Sequence, residues 1–364
     1  MRLGVEAAIV EGVLVPGDLA ISDGCLAEVA LSRRNGRGIA VPGFVDLHVN
    51  GFGGVDFAAA DTEGYRQAGD ALLATGVTAF QPTFITAPEA DLAAALRRLP
   101  SEPVGPRMLG AHLEGPFLSP ERLGAHPECE RRDPDRGLLE RLLDAGPVAQ
   151  MTLAPELEGA LDLIDLLHER GVVVSCGHSN ATAAEAECAF DHGVRTVTHL
   201  FNAMRPFSHR DPGLAGAALA RDDVVVQVIL DGEHLADEAV KMIWKAAAGR
   251  VALVTDAVAA TGVGDGQYRL GSVDVEVREG VARRASDGVL AGSVTTMLEG
   301  IRQLHALGAT LAEAVAAATS VPARVAGRGS GVLRSGGDAD AVILDDRLEI
   351  RAVFVGGKEL VAVG

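Results

Sequence analysis

The 364 residues carry 32 Lys and Arg against 50 Asp and Glu, a formal charge of -18. That balance argues against nucleic acid or an anionic membrane as partner and requires a local cationic pocket for any anionic ligand. Hydrophobic residues make up 48%, with 44 Gly and 16 Pro, which fits a large packed core with many tight turns and not a disordered chain. Four scattered cysteines (Cys25, Cys129, Cys176, Cys188) lack CxxC spacing and read as reduced thiols. Glu6, Glu11 and Asp18 interrupt the apolar N-terminal stretch, so neither a signal-peptide core nor a membrane span is expected, and the expected location is cytoplasmic.

In chain order, residues 1 to about 42 break into short alternating pieces (5–10, 12–15, 19–22, 25–30) punctuated by Gly17 and Asp23-Gly24, which is hairpin chemistry. Eight apolar runs follow, at 43–48, 78–82, 108–112, 148–153, 172–176, 195–198, 224–230 and 251–255, alternating with amphipathic stretches such as 161–170 and 181–192. Eight strands alternating with helices predict a (β/α)8 barrel, which takes about 250 residues and leaves room for one small further domain. Residues 118–135 are long, charged and without periodicity, so they are a candidate lid. Tyr268, Leu270, Val273, Val275 and Val277 alternate, which predicts a hairpin at about 267–284, inserted after the eighth strand near the mouth. From about 330 the β-like style of the N-terminus returns, at 340–344, 350–355 and 358–363. The predicted class is therefore α/β: a TIM-like barrel over 43–329 and a small β-sandwich built from 1–42 and 330–364.

Four polar motifs stand just past strand-like runs: His112-Leu113-Glu114-Gly115-Pro116-Phe117, Gly177-His178-Ser179-Asn180, Thr198-His199-Leu200-Phe201-Asn202-Ala203-Met204 and Val254-Thr255-Asp256-Ala257. The C-terminal ends of barrel strands are where such folds build active sites. A single histidine after a strand is more often a packing or surface residue. Glu114, His178 and His199 together, however, offer one carboxylate oxygen and two imidazole nitrogens from three strand ends. That donor set suits one divalent Zn or Fe ion with a position open to water. Asp256 faces the same mouth and is the candidate general base and later acid, the alternative being a helix N-cap.

The first strand ends Asp46-Leu47-His48-Val49-Asn50, where many barrel metallohydrolases carry HxH. His48 is a candidate to share a second metal with Glu114 and Asp256, or else to hydrogen-bond in the pocket. The only lysines are Lys241, Lys245 and Lys358, so a carboxylated lysine bridging two metals at the fourth strand is not available. Asn180-Ala181-Thr182 matches a glycosylation sequon, which carries no meaning without secretion.

With these residues in hand, the chain resembles the N-acetylglucosamine-6-phosphate deacetylase family, a sugar-phosphate branch of the amidohydrolase superfamily, over essentially its whole length. The resemblance is carried by the order and spacing of Pro42-Gly43-Phe44-Val45-Asp46, the four motifs above, Gly124-Ala125-His126-Pro127, Arg210-Asp211-Pro212-Gly213, Asp231-Gly232-Glu233-His234 and Leu290-Ala291-Gly292-Ser293. It implies metal-dependent hydrolysis of an N-acetyl amino-sugar 6-phosphate to the free amine and acetate, in amino-sugar catabolism. It makes Glu114, His178 and His199 the metal ligands and Asp256 the acid/base, and places His126 beside the acetamido carbonyl. It further implies substrate contacts from Asn202, Ala203, Arg210 and His234, and from Leu290, Ala291 and Gly292 largely through backbone. Family members are commonly homodimers in which the equivalent of Arg210 reaches the neighbouring pocket. Two other enzyme readings stand beside this one: deacetylation of the galactosamine epimer, which would share all these residues, and another amidase of the superfamily. A barrel that has lost catalysis would need broken ligands, and none is broken.

Overall fold

Long apolar runs flanked by turns bury both faces, as strands in parallel sheets do. All nine residues of Val77–Ile85 are buried, as are all six of Phe44–Val49. In the computed structural model, which describes residues 1–31, 36–327 and 331–362, the eight expected runs form parallel strands. These are Phe44–Val49, Val77–Ile85, Ala111–Glu114, Val148–Leu153, Val173–Cys176, Thr196–Val197, Val225–Val228 and Val251–Leu253. Each pairs with its sequence neighbour in the order of the chain.

The circle is nearly closed. Strands eight and one share no ladder, but Asp256 N donates to His48 O at 2.9 Å, and Asn50 N and Gly51 N donate to Ala257 O at 2.8 and 3.1 Å. Asp46 fastens the same seam from within: its carboxylate accepts from Thr255 Oγ1 at 2.6 Å and from Thr255 N and His48 N, each at 3.2 Å.

The surrounding helices start where their sequences place caps. Thr182, Thr296 and Thr310 each close a capping box with a glutamate three residues on, opening Ala183–Asp191, Met297–Ala306 and Leu311–Ala318. Arg250, only 9% exposed, donates to the carbonyls of Ala218, Leu219, Val224 and Ala246. One guanidinium thereby satisfies carbonyls at the C-terminal ends of two helices, Gly213–Ala220 and Asp237–Ala246.

Both termini contribute to a separate β-rich portion. A six-stranded sheet runs Val13–Pro16, Ala7–Val10, Ile39–Pro42, Ala341–Leu344, Ile350–Val355 and Lys358–Ala362. The hairpin of Asp18–Ser22 and Cys25–Leu31 packs on it through Leu19, Ile21 and Leu26 against Ala8, Ala40, Ala341, Ile343 and Phe354. Strand Ile39–Pro42 was absent from the expected pieces; it sits at the centre of this sheet, and Gly43 leads directly from it into the barrel. The segment after strand eight holds three antiparallel strands, Gly266–Leu270, Val273–Arg278 and Val281–Arg284, rather than a two-stranded hairpin. Val281-Ala282-Arg283-Arg284 buries only Ala282, too little apolar pattern to announce a strand. Ser330, Val363 and Gly364, at the limits of the expected second domain, lie outside the described residues.

Arg250→Ala removes the donor from four carbonyls, two of them, Ala218 O and Val224 O, buried. Since hydrogen bonds to a charged group contribute about 1.5–3 kcal/mol each, and the orphaned acceptors cost about as much again, a loss of at least about 2 kcal/mol is expected. The midpoint of urea unfolding measures it; an unchanged midpoint would show that water replaces the guanidinium.

Candidate functional site

The strand ends turn sharply inward. His178, His199, Phe201, Ala203 and Asp256 all have positive φ, between 30° and 74°, a conformation non-glycine residues adopt at a cost and which clusters at functional sites. These turns aim side chains from three different strand ends at one point. Glu114, His178 and His199 bring one ligand atom each to within 4.8 Å of one another. Glu114 Oε1 lies 3.1 Å from His178 Nε2 and 3.0 Å from His199 Nε2, and the two Nε2 atoms are 3.1 Å apart. Glu114 Oε2 lies 3.3 Å from His48 Nε2 and 3.4 Å from His126 Nε2.

Two backbone groups set the tautomers of the key histidines. His178 Nδ1 is 2.9 Å from Arg122 O; a carbonyl only accepts, so Nδ1 carries the hydrogen and Nε2 of the neutral ring presents its lone pair to the centre. His126 is the reverse case. Its Nδ1 accepts from Thr86 N–H at 3.3 Å and lies 2.9 Å from Thr86 Oγ1, which leaves Nε2–H as a donor pointed at the same centre. Carboxylate oxygen and imidazole lone pairs at about 3 Å repel one another unless a cation sits between them, so this donor set fits a divalent metal.

Asp256 adjoins the group. Its Oδ1 accepts from Asn50 Nδ2 at 2.6 Å and lies 3.1 Å from His48 Nε2. Burial alone would raise the Asp256 carboxyl and depress His48. The attraction between them wins: His48, facing both Glu114 and Asp256, is held well above the ordinary histidine value, and Asp256 below the ordinary carboxylate value. Glu114 is held well below its ordinary value, with burial again opposing and the charge of His48, together with the His126 Nε2–H, outweighing it.

Over this centre opens a cleft of about 170 Å³ lined by Asn50, Glu114, Gly124, Ala125, His126, His178, His199, Asn202, Ala203, His234, Asp256, Leu270, Leu290 and Gly292, with Ile85, Ile229 and Val289. A larger cavity of about 760 Å³ lies between residues 100–109 and the β-rich portion, but no catalytic constellation converges there. Among the described residues the one group of histidines and carboxylates that could hold a metal ion opens into the smaller cleft.

Residues 39–360 match the profile of the Amidohydrolase family. The chain belongs to the amidohydrolase family. This amidohydrolase is 40% identical to the N-acetylglucosamine-6-phosphate deacetylase of Rattus norvegicus over 345 residues, covering 90% of this chain and 84% of that one. It is 34% identical to the N-acetylgalactosamine-6-phosphate deacetylase of Escherichia coli O157:H7, covering 96% of each. Its fold superposes with a TM-score of 0.95, at 38% identity over 100% of this chain and 99% of the other, on the N-acetyl-D-glucosamine-6-phosphate deacetylase of Mycobacterium smegmatis, solved in complex with N-acetyl-D-glucosamine 6-phosphate.

In this amidohydrolase Glu114, His126, His178, His199, Asn202, Ala203, His234, Asp256, Leu290 and Gly292 all reach the cleft. Ala291 does not: it is buried in the cluster beneath the inserted sheet. Arg210 is exposed on the loop after Arg205 and lies outside the cleft of its own chain. His48 is fully buried behind the two carboxylates. Thr86, Asn50 as the partner of Asp256, and Asp46 as the seam clasp were not anticipated. Asp46 is pushed up to about 6 by burial, against hydrogen bonds from Thr255 and His48.

His234 Nδ1 is 2.7 Å from Asp231 Oδ2. Burial would lower the imidazole, but Asp231 outweighs it and the His234 pKa is raised; burial would raise Asp231, and His234 lowers it. The histidine's share of stability is complete below its ordinary 6.5 and is lost as pH rises through the raised value. The carboxylate's share is complete above its ordinary 3.8 and is lost as pH falls through the lowered value. Asp231→Asn is therefore expected to lower the melting temperature most between 3.8 and 6.5, with the gap to the parent closing at higher pH. A gap that widens on the alkaline side would contradict the pairing.

Proposed function

We propose that this chain hydrolyses N-acetyl-D-glucosamine 6-phosphate to D-glucosamine 6-phosphate and acetate, a step of amino-sugar catabolism. The observation that carries the reading is the convergence of Glu114, His178 and His199 within 4.8 Å, beside Asp256, in a fold superposing at TM-score 0.95 on a deacetylase holding that sugar phosphate. Those three residues would hold one divalent ion, Zn or Fe by donor type, and His48 with Asp256 and Glu114 is the place for a second. When bound, such an ion polarises the amide carbonyl and lowers the pKa of water toward about 7.

The chain's own groups supply the rest. Asp256 takes a proton from the attacking water and returns it to the leaving amine. Asn50 donates to its Oδ1, with His48 Nε2 3.1 Å from the same oxygen, so the proton travels on Oδ2. His126 Nε2–H, its tautomer set by Thr86, donates to the oxygen of the amide as negative charge develops there. Asn202, Ala203, His234, Leu290 and Gly292 bind and orient the sugar.

No lysine or arginine lines the cleft among the described residues, so the phosphate needs a cation from elsewhere. We assign it to Arg210 of a second copy, which makes the working unit a homodimer. We divide the chain into a catalytic unit over 43–329 and a second unit from 1–42 with 330–364; the second has a hydrophobic cluster of its own around Leu19, Leu26 and Phe354, while Ile9, Val41 and Val342 on its sheet join the cluster of the barrel. No described helix is long and apolar enough to cross a membrane; a cytoplasmic location remains part of this reading on the unpaired thiols.

Acetate release from a panel of N-acetylglucosamine and N-acetylgalactosamine, each with and without the 6-phosphate, tests the reading. Fastest turnover is expected on the phosphorylated gluco epimer, and a preference for the galacto epimer would move the assignment to the Escherichia coli type of enzyme. On the same substrate Asp256→Asn should lose about 10²–10⁴-fold in kcat while keeping its metal by elemental analysis. A near-parental rate would remove Asp256 from the proton path.

Arg210→Ala should raise KM far more for the phosphorylated sugar than for its unphosphorylated counterpart, because charge-assisted bonds need the charge on the ligand. Mixing Arg210→Ala with Asp256→Asn protein under subunit exchange should regenerate activity, since some sites then combine an intact Asp256 with an intact Arg210. Absence of recovery in demonstrably mixed dimers would confine Arg210 to its own chain.

A further inference from the structure

Asn180 ends the Gly177-His178-Ser179-Asn180 motif and opens a sequon, and neither proton transfer nor metal holding uses it. Every one of its polar atoms nonetheless has a partner, and the partners come from three separate segments. Asn180 N donates to Glu156 Oε1 at 2.6 Å, while Ser179 Oγ donates to Glu156 Oε2 at 2.7 Å, so one carboxylate past the fourth strand grips both residues that follow His178. Asn180 O accepts from Arg205 Nη1 at 3.3 Å. Its side-chain Oδ1 accepts from Arg122 Nε at 3.1 Å, and its Nδ2 donates to Glu121 Oε2 at 2.8 Å.

Glu121 and Arg122 belong to the lid, and Arg122 O is the acceptor that fixes the His178 tautomer. Ser119 N, at the start of the same segment, donates to His178 O at 2.9 Å. A closed circuit therefore runs from the His178 ring to the Arg122 carbonyl, through the Arg122 side chain to Asn180, and back along two peptide units. The lid carries no regular structure except the short turn Glu128–Glu130, so its position depends on such anchors. Gly124, Ala125 and His126, a few residues on, line the cleft.

We propose that Asn180 is a positioning residue that ties the lid to His178, so that metal binding and lid closure strengthen each other. The proposal rests on the reading of His178 as a metal ligand. An imidazole offers Nε2 only while Nδ1 keeps its hydrogen and the ring keeps its aim, and both depend on a carbonyl that the Asn180 carboxamide holds in place. Coupling of this kind is reciprocal: whatever factor the closed lid adds to metal affinity, the metal adds to closure.

Zn affinity, measured by chelator competition on stripped and reloaded full-length protein, tests the tie without reference to turnover. Asn180→Ala is expected to bind Zn about ten-fold more weakly, the lower end of what loss of a group supporting a ligand costs. Asn180→Asp keeps the size but turns an acceptor toward Glu121, and should weaken Zn as well; adding Glu121→Gln restores a donor–acceptor pair and should recover most of the affinity. Thr182→Ala, which removes the cap of the neighbouring helix, should leave Zn affinity at the parental value. Zn should slow amide exchange across 119–126 in the parent and have much less effect in Asn180→Ala. Parental Zn affinity in Asn180→Ala, or lid exchange indifferent to Zn, overturns the proposal provided His178→Ala loses Zn. Undiminished Zn affinity in His178→Ala overturns the ligand reading and this proposal with it.

Discussion

Three Lewis-basic atoms held about 3 Å apart at the barrel mouth are the constraint from which the rest of the site follows. Oxygen and nitrogen lone pairs do not stay so close without a cation, so the fold has to hold Glu114, His178 and His199 against their mutual repulsion until one arrives. Part of that support is backbone: the Arg122 carbonyl behind His178, itself tethered through Asn180, and the Thr86 amide behind His126. The two supports are opposite in polarity, one an acceptor and one a donor. Two histidines in one cleft thereby acquire opposite roles, lone pair and hydrogen-bond donor, without any difference in their own chemistry.

The carboxylate opposite is governed by the same logic at the seam between the first and last strands. Asn50 and His48 come from one side, Asp256 from the other, and Asp46 clamps the two strand ends from below. Barrel closure is thus also site assembly: the bonds that complete the circle of strands are those that set Asp256 relative to Glu114. This accounts for the HxN spacing at the first strand, because Asn50 offers a donor to Asp256 where a second histidine would offer a ligand.

Glu114, His178, His199 and Asp256 were legible because each follows directly on an apolar run, so strand and functional residue are read in one glance. Thr86 was not, because its role lies in a bond to His126, 40 residues on, and nothing near Thr86 in the chain signals it. Asn50 looked like a departure from a pattern, and its use became visible only with Asp256, 206 residues away, at 2.6 Å. Ala291 was expected to touch substrate largely through backbone; its side chain packs beneath the inserted sheet, while Leu290 and Gly292, the latter at a positive φ of 67°, line the cleft on either side of it. The eight strands were readable since burial on both faces makes them continuously apolar. Strand Ile39–Pro42 was hidden because it runs into Gly43 and the first barrel strand without a turn signal.

The central place of Ile39–Pro42 in the terminal sheet bears on how the protein is made. Its partner on one side is Ala7–Val10, available at once; its partner on the other is Ala341–Leu344, about three hundred residues later. At about 5–20 residues per second of synthesis, that edge waits some tens of seconds with its amides and carbonyls unpaired while the barrel is still being extruded. An open edge is a template for a neighbouring chain, so on a crowded polysome the danger comes from the earliest part of the molecule, and the last strands to emerge are what remove it.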